Sequence, residues 1–133
     1  MLKNVFGILL FIFSVASVAS TEAIDYELMF NNCTKNSEGP ITGKLVVCSE
    51  SVSKKIDIEI EVLSNQVKSK LANTENGNAK KAVSSFNVAQ QSWLKYKKLQ
   101  CELAGEYVGS PMYTYCPMKL GIIRVKELRE FVQ

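Results

Sequence analysis

Four cysteines, placed in two pairs with the same spacing, limit what this chain can fold into more than any other feature. Cys33 and Cys48 are separated by 15 positions, and so are Cys101 and Cys116. If Cys33 is bonded to Cys48 and Cys101 is bonded to Cys116, two short loops close. Each closure then contributes about 3 kcal/mol to the stability of the fold in the chain-entropy model. Four cysteines allow three disulfide pairings, and the sequence alone does not choose among them.

A zinc site is the competing explanation for these cysteines. Structural zinc sites usually contain closely spaced Cys-x-x-Cys pairs or histidine ligands. This chain contains neither such a pair nor any histidine. The residues therefore favour two disulfides, with no metal site and no cofactor, and disulfides are typical of proteins that fold outside the cytosol.

The first 20 residues have the three parts of a cleavable secretory signal peptide. Lys3 supplies the positive charge, Val5–Val15 is apolar, and residues 16–20 are mostly small. The apolar run is shorter than the stretch of about 20 residues that a membrane-spanning helix needs. We therefore expect residues 1–20 to be removed, leaving a mature domain over residues 21–133 in the periplasm or outside the cell, with no membrane anchor.

The spacing of apolar residues predicts an all-α fold, a small antiparallel bundle of about four helices. The first helix is expected over residues 23–32, with Ile24 and Leu28 on one apolar stripe. Residues 33–43 contain Gly, Pro, Asn and Ser, a composition that predicts a loop.

The second helix is the one element that the sequence describes in two ways. Residues 56–62 alternate between apolar and charged, as in a half-buried strand, but apolar residues recur at intervals of three and four from Val52 to Leu71. The longer pattern exceeds the length of a usual strand, so it predicts a helix over residues 49–72. In this helix Ile58 and Val62 would widen the apolar face.

The third and fourth helices follow a polar turn. Apolar residues repeat at intervals of four and three over residues 82–100, and the glycines and proline of residues 105–111 are expected to end the third helix. The fourth helix is predicted over residues 114–131, where Gly121 costs about 1 kcal/mol of helix stability. Helices joined by short loops are antiparallel neighbours, so each local disulfide would fasten one helical hairpin.

Two features of the third helix are assigned to the scaffold. Trp93, the single tryptophan, lies on the apolar stripe and is expected to pack in the hairpin core. Lys95, Lys97 and Lys98 are expected to form a solvated face.

The third and fourth helices resemble a known family. Residues 89–101 read AQQSWLKYKKLQC, which is similar to the segment A-Q-x-x-W-L-x-Y-R-x-x-x-C of LprI-like lysozyme inhibitors. The similarity continues through the residues Gly109, Ser110, Cys116, Arg124, Glu127 and Leu128, and more loosely through the residues Cys33, Val47, Cys48, Ser49 and Glu50. Lys97 and Gly121 depart from the family pattern, which often has Arg and Thr at those positions.

The resemblance implies a small exported bacterial helical domain whose protein partner is a lysozyme, which it binds and inhibits. The residues also argue against an enzyme, because there is no histidine to act as a general base and no phosphate-binding or nucleophile-elbow motif. The formal charge of +3 is too small to indicate nucleic acid as a partner. The alternatives are a cell-envelope module that binds another exported protein and, less favoured, an envelope enzyme that uses two carboxylates.

The segment between the last two cysteines is the candidate surface for a protein partner. It contains Tyr107, Met112, Tyr113 and Tyr115, and Tyr and Met are favoured at protein interfaces. A disulfide across its base would fix its shape before binding, which reduces the ordering cost. The alternative is that the tyrosines cover the core of the hairpin, and the sequence does not separate the two.

Overall fold

The chain forms four α-helices in the computed structural model, which describes residues 23–74 and 77–133. The helices are α1 (Tyr26–Asn36), α2 (Ile41–Ala72), α3 (Ala79–Val108) and α4 (Met112–Val132). The part of the chain that the structure describes contains no strand, so the predicted all-α bundle is confirmed. The predicted signal peptide lies outside the described residues.

The first helix begins and ends later than predicted. The Asp25 carboxylate accepts a hydrogen bond of 2.9 Å from the backbone N–H of Leu28 and fixes the start of α1 at Tyr26. The predicted apolar stripe was wrong: Ile24 precedes the helix, Leu28 is exposed, and Tyr26 and Phe30 face the core. The short interval from Ile24 to Leu28 could not show which side of the helix meets α2.

The second helix includes residues 56–62, whose alternating pattern also suggested a strand, and it begins earlier in the chain than predicted. Of the predicted loop over residues 33–43, only residues 37–40 are non-helical. Val52, Ile56 and Val67 are fully buried along the predicted stripe. Ile58 and Val62 remain exposed, because no described helix covers that side of α2, so their predicted role was wrong.

The four helices pack as two antiparallel hairpins, α1 with α2 and α3 with α4, as predicted. The second helices of the hairpins, α2 and α4, run side by side in the same direction and make the largest contact. Their common register is shown by the hydrogen bond between the Ser49 and Thr114 hydroxyls (3.0 Å) near one end and by that from the Lys70 amine to the Gln133 carbonyl (2.8 Å) near the other.

The two disulfides are local, one in each hairpin. Cys33 is bonded to Cys48, and Cys101 is bonded to Cys116. Both disulfides lie at the same end of the bundle. Ser49 and Thr114 are hydrogen-bonded to each other across α2 and α4, Cys48 directly precedes Ser49, and Cys116 lies two residues after Thr114. We call this end, with the α1–α2 and α3–α4 connections, the clasp end.

Among the residues described, no helix is long and apolar enough to cross a membrane.

Candidate functional site

The predicted partner-binding segment is mostly helical and lies at the clasp end. Tyr107 is in the last turn of α3, Met112 is the first residue of α4, and Tyr113 and Tyr115 follow it. Only residues 109–111 separate the two helices. We refer to the four predicted residues and this connection together as the tyrosine loop.

The side chains of the tyrosine loop divide into two groups. Tyr107 is 90% exposed and Tyr113 is 55% exposed, while Met112 is partly buried. Tyr115 is directed inward instead, with its ring centroid 5.5 Å from that of Phe30 on α1. Tyr107 and Tyr113 are therefore available to a partner, whereas Tyr115 covers the core.

The connection between α3 and α4 is fixed by short-range hydrogen bonds. Gly109 has a positive φ of 86°, which glycine adopts at little steric cost, and its N–H donates to the Gly105 carbonyl at 2.8 Å. The Thr114 hydroxyl donates to the Pro111 carbonyl at 3.1 Å and accepts from the buried Ser49 hydroxyl of α2. The loop backbone is thereby held against α2 as well as by the Cys101–Cys116 disulfide.

Gly105 is a buried residue inside α3, beneath the ring of Tyr113, rather than the end of the helix. The helix continues through it to Val108, which corrects the predicted stop. A Cβ atom at Gly105 would overlap the ring of Tyr113, so the absence of a side chain lets the ring lie directly on the α3 backbone. The orientation of Tyr113 thus depends on Gly105.

Two shallow depressions flank Tyr113, and neither was predicted from the sequence. One, of about 330 Å³, is lined by residues that include Leu94, Lys98 and Pro117. The other, of about 230 Å³, lies between α2 and α4 beside Lys54. Their residues come from three helices, so no local sequence pattern could have shown that they lie together.

The motif that carries the family resemblance forms the interface between α3 and α4. Arg124 of α4 donates two hydrogen bonds to Gln90 Oε1 of α3 (3.0 and 2.7 Å) and one to Glu127 (2.8 Å). Its guanidinium lies 5.6 Å from the ring centroid of Trp93, on the packed side of α3. The motif residues therefore hold α3 and α4 together.

A second polar cluster joins α1, α2 and α4 away from the tyrosine loop. The Tyr26 hydroxyl donates to Glu59 Oε2 at 2.6 Å, and Arg129 donates to Glu59 Oε1 at 2.8 Å and to the Ile24 carbonyl at 3.0 Å. Burial, and next the bond to the Glu59 carboxylate, raises the pKa of Tyr26 above its usual range. Tyr26 therefore remains a neutral donor, and the cluster holds three helices together.

Over residues 23–74 and 77–133, no cluster of three or more His, Cys, Asp and Glu groups could hold a metal ion.

Comparison with protein families gives one match. A family model described as lysozyme inhibitor LprI matches residues 33–128, from the first cysteine to the last buried leucine of α4. The match includes both disulfides and the motif at the α3–α4 interface, and it confirms the family resemblance. Neither the curated proteins nor the solved structures gave a match.

Proposed function

Because this chain belongs to the LprI lysozyme inhibitor family, we propose that its mature domain, residues 21–133, is an exported protein that inhibits a lysozyme by binding to it. The tyrosine loop is the surface that we assign to this contact, and no chemical step by the inhibitor is needed. The observation that carries the assignment is the almost complete exposure of Tyr107 on a backbone fixed by a disulfide.

The chemistry of a muramidase cleft suits this surface. Glycosidases generally place two carboxyl groups on either side of the bond that they cleave. Tyr107 and Tyr113 offer phenol hydroxyl donors to such groups, and their rings bring large contact areas with few rotatable bonds. Because the loop is held by Gly109, Thr114 and the disulfide, little ordering is lost on binding.

Long-range charge contributes little to this binding. The whole chain has a formal charge of +3, and removal of Lys3 with the signal peptide leaves +2. A basic lysozyme would not be attracted to such a surface from a distance, so affinity comes from contacts at the interface. The affinity is accordingly expected to change little with ionic strength.

The proposal is tested by measuring inhibition of a panel of muramidases by the mature protein, with calorimetry for complex formation. Tyr107→Ala combined with Tyr113→Ala should weaken inhibition at least tenfold, as for tyrosines at the centre of an interface. Tyr96→Ala is the matched control, because Tyr96 is 53% exposed on α3, against 55% for Tyr113. Tyr115 is left intact because it packs on Phe30.

The possible results separate the activity from the surface. If micromolar protein inhibits no muramidase and forms no complex, inhibition is excluded, and capture of a different exported protein would identify a cell-envelope binding module instead. If the double variant inhibits as well as the wild type, the tyrosine loop is not the contact surface.

A glycine substitution tests the orientation of one tyrosine. Gly105→Ala should displace the ring of Tyr113, since the added Cβ overlaps it, while alanine favours the helix by up to about 1 kcal/mol. Weaker inhibition at equal or higher thermal stability is expected. Unchanged inhibition would show that the position of Tyr113 does not matter for binding.

A further inference from the structure

The side of α3 that faces away from the bundle carries a row of large apolar side chains. Val88, Tyr96, Leu99 and Leu103 are each more than half exposed. With 3.6 residues per turn they lie within an arc of about 80° and extend over about 22 Å. We call these four residues the outer stripe.

The outer stripe is separate from the core, and at its C-terminal end it adjoins the tyrosine loop. The buried residues of α3, Phe86, Cys101 and Gly105, lie on the other side of the helix. Leu99, in the middle of the stripe, is two turns before Tyr107, and Leu103 is one turn before it on the same side of α3. Tyr96, Leu99 and Leu103 follow one another at helical spacing, and exposed apolar residues in such a row are typical of a protein contact.

The charges beside the outer stripe favour one particular partner, a second copy of the chain. Lys95 lies in its N-terminal half, Glu102 lies in its C-terminal half, and Glu106 lies just beyond its last residue. Within the described part of the chain Lys95 and Glu106 form no ion pair, and Glu102 has only an exposed contact of 3.9 Å with Lys98.

We propose that the mature protein forms a twofold symmetric dimer in which the outer stripes of two α3 helices pack antiparallel about Leu99. In that arrangement Leu99 meets its own copy, and Tyr96 lies beside Leu103 of the other chain. Lys95 then falls between Glu102 and Glu106 of the second copy. A parallel arrangement would instead place these flanks of the two helices on opposite sides of the pair, so Lys95 would meet neither glutamate of the second copy, which disfavours it.

The size of this contact indicates a dimer that dissociates readily. One helix pair of this length is near the lower limit for specific interfaces, about 1,000 Å² of total buried area. We therefore expect dissociation in the micromolar range. The two tyrosine loops would lie on opposite sides of the twofold axis, with Tyr107 at the border of the contact and Tyr113, which packs on Gly105 on the other side of α3, free.

Sedimentation equilibrium of the mature protein over a wide concentration range tests the dimer. Leu99→Glu places two like charges on the twofold axis and should weaken association at least tenfold. Ile123→Glu, at an exposed position on α4, is the matched control and should leave association unchanged. A monomer at every concentration, or a dimer that Leu99→Glu does not weaken, would overturn the proposal.

A charge exchange tests the antiparallel orientation. Lys95→Glu alone and Glu106→Lys alone should each weaken the dimer severalfold, and the two together should restore it. If the combined variant is no stronger than either single one, the antiparallel arrangement is wrong. At concentrations where the wild type is monomeric, inhibition per chain by Leu99→Glu should equal that of the wild type, so the dimer is tested independently of the proposed lysozyme contact.

Discussion

Replacing Gly121 with alanine should destabilise the protein, although alanine is the better helix former. A Cβ atom at this position of α4 would lie 2.6 Å from Cγ2 of Ile56 on α2. The Ile56 side chain is completely buried, and a β-branched residue in a helix has one strongly preferred χ1 angle. The Ile56 methyl group therefore cannot turn away, and α2 and α4 would have to separate.

The expected size follows from two opposing contributions. Gly→Ala inside a helix gains about 1 kcal/mol, while extra atoms in a packed core cost about 1–3 kcal/mol. Because the overlap at Gly121 is with a rigid branch near the backbone, the cost falls towards the upper value. We expect a net loss of about 2 kcal/mol in the free energy of unfolding, which lowers Tm by roughly 10 °C in a domain of this size.

Urea and thermal unfolding, followed by far-UV circular dichroism, measure this loss, and variants of Ile56 test its cause. Ile56→Leu removes the Cγ2 branch, whereas Ile56→Val retains it. Gly121→Ala should therefore lower the unfolding free energy less in the Ile56→Leu background than in the Ile56→Val background. In each case the double variant is compared with the single variant at position 56. A higher unfolding free energy for Gly121→Ala, or an equal loss in both combinations, would refute the steric argument.

Three further changes concern the scaffold. Tyr26→Phe should lower the unfolding free energy by about 2 kcal/mol in urea titrations, because a hydrogen bond to a carboxylate is lost. Since the folded-state pKa of Tyr26 is raised above the ordinary 10.0, its stabilisation is complete below pH 10 and declines at higher pH; an advantage over Tyr26→Phe that persists unchanged in strong alkali would contradict this. Ser64→Ala should raise the unfolding free energy by about 1 kcal/mol in the same assay, because the buried Ser64 hydroxyl has no partner among the described residues; a loss would indicate an unseen partner. Replacing Cys101 and Cys116 together with alanine should lower Tm and cost about 3 kcal/mol, and unchanged stability would mean that this disulfide does not constrain the unfolded chain.

The sequence predicted helix number, helix type and hairpin order well, because these depend on patterns repeated over many residues. The interval from Val52 to Leu71 identified α2 as a helix despite the alternation over residues 56–62. Helix ends were less predictable, since Gly43 and Gly105 resemble helix breakers but lie inside α2 and α3.

The sequence could not predict which residues would be in contact between helices. Gly121 was predicted to weaken α4 and Gly105 to end α3, yet each permits a close approach by a side chain of another helix, Ile56 at Gly121 and Tyr113 at Gly105. Ile58 and Val62 were expected to be covered, but whether a neighbour covers them depends on the placement of α1 and α4. The candidate residues of the tyrosine loop were found by composition, and the inward direction of Tyr115 required Phe30 to be located.

The parallel course of α2 and α4 places both covalent links at one end of the molecule. The opposite end, with the α2–α3 connection and the C-terminus, is held by non-covalent contacts such as that from Lys70 to Gln133. Partial opening should therefore begin there, and amide protons should exchange with solvent in a gradient that slows towards the disulfides. A protease that attacks the opened end would reach the tyrosine loop last.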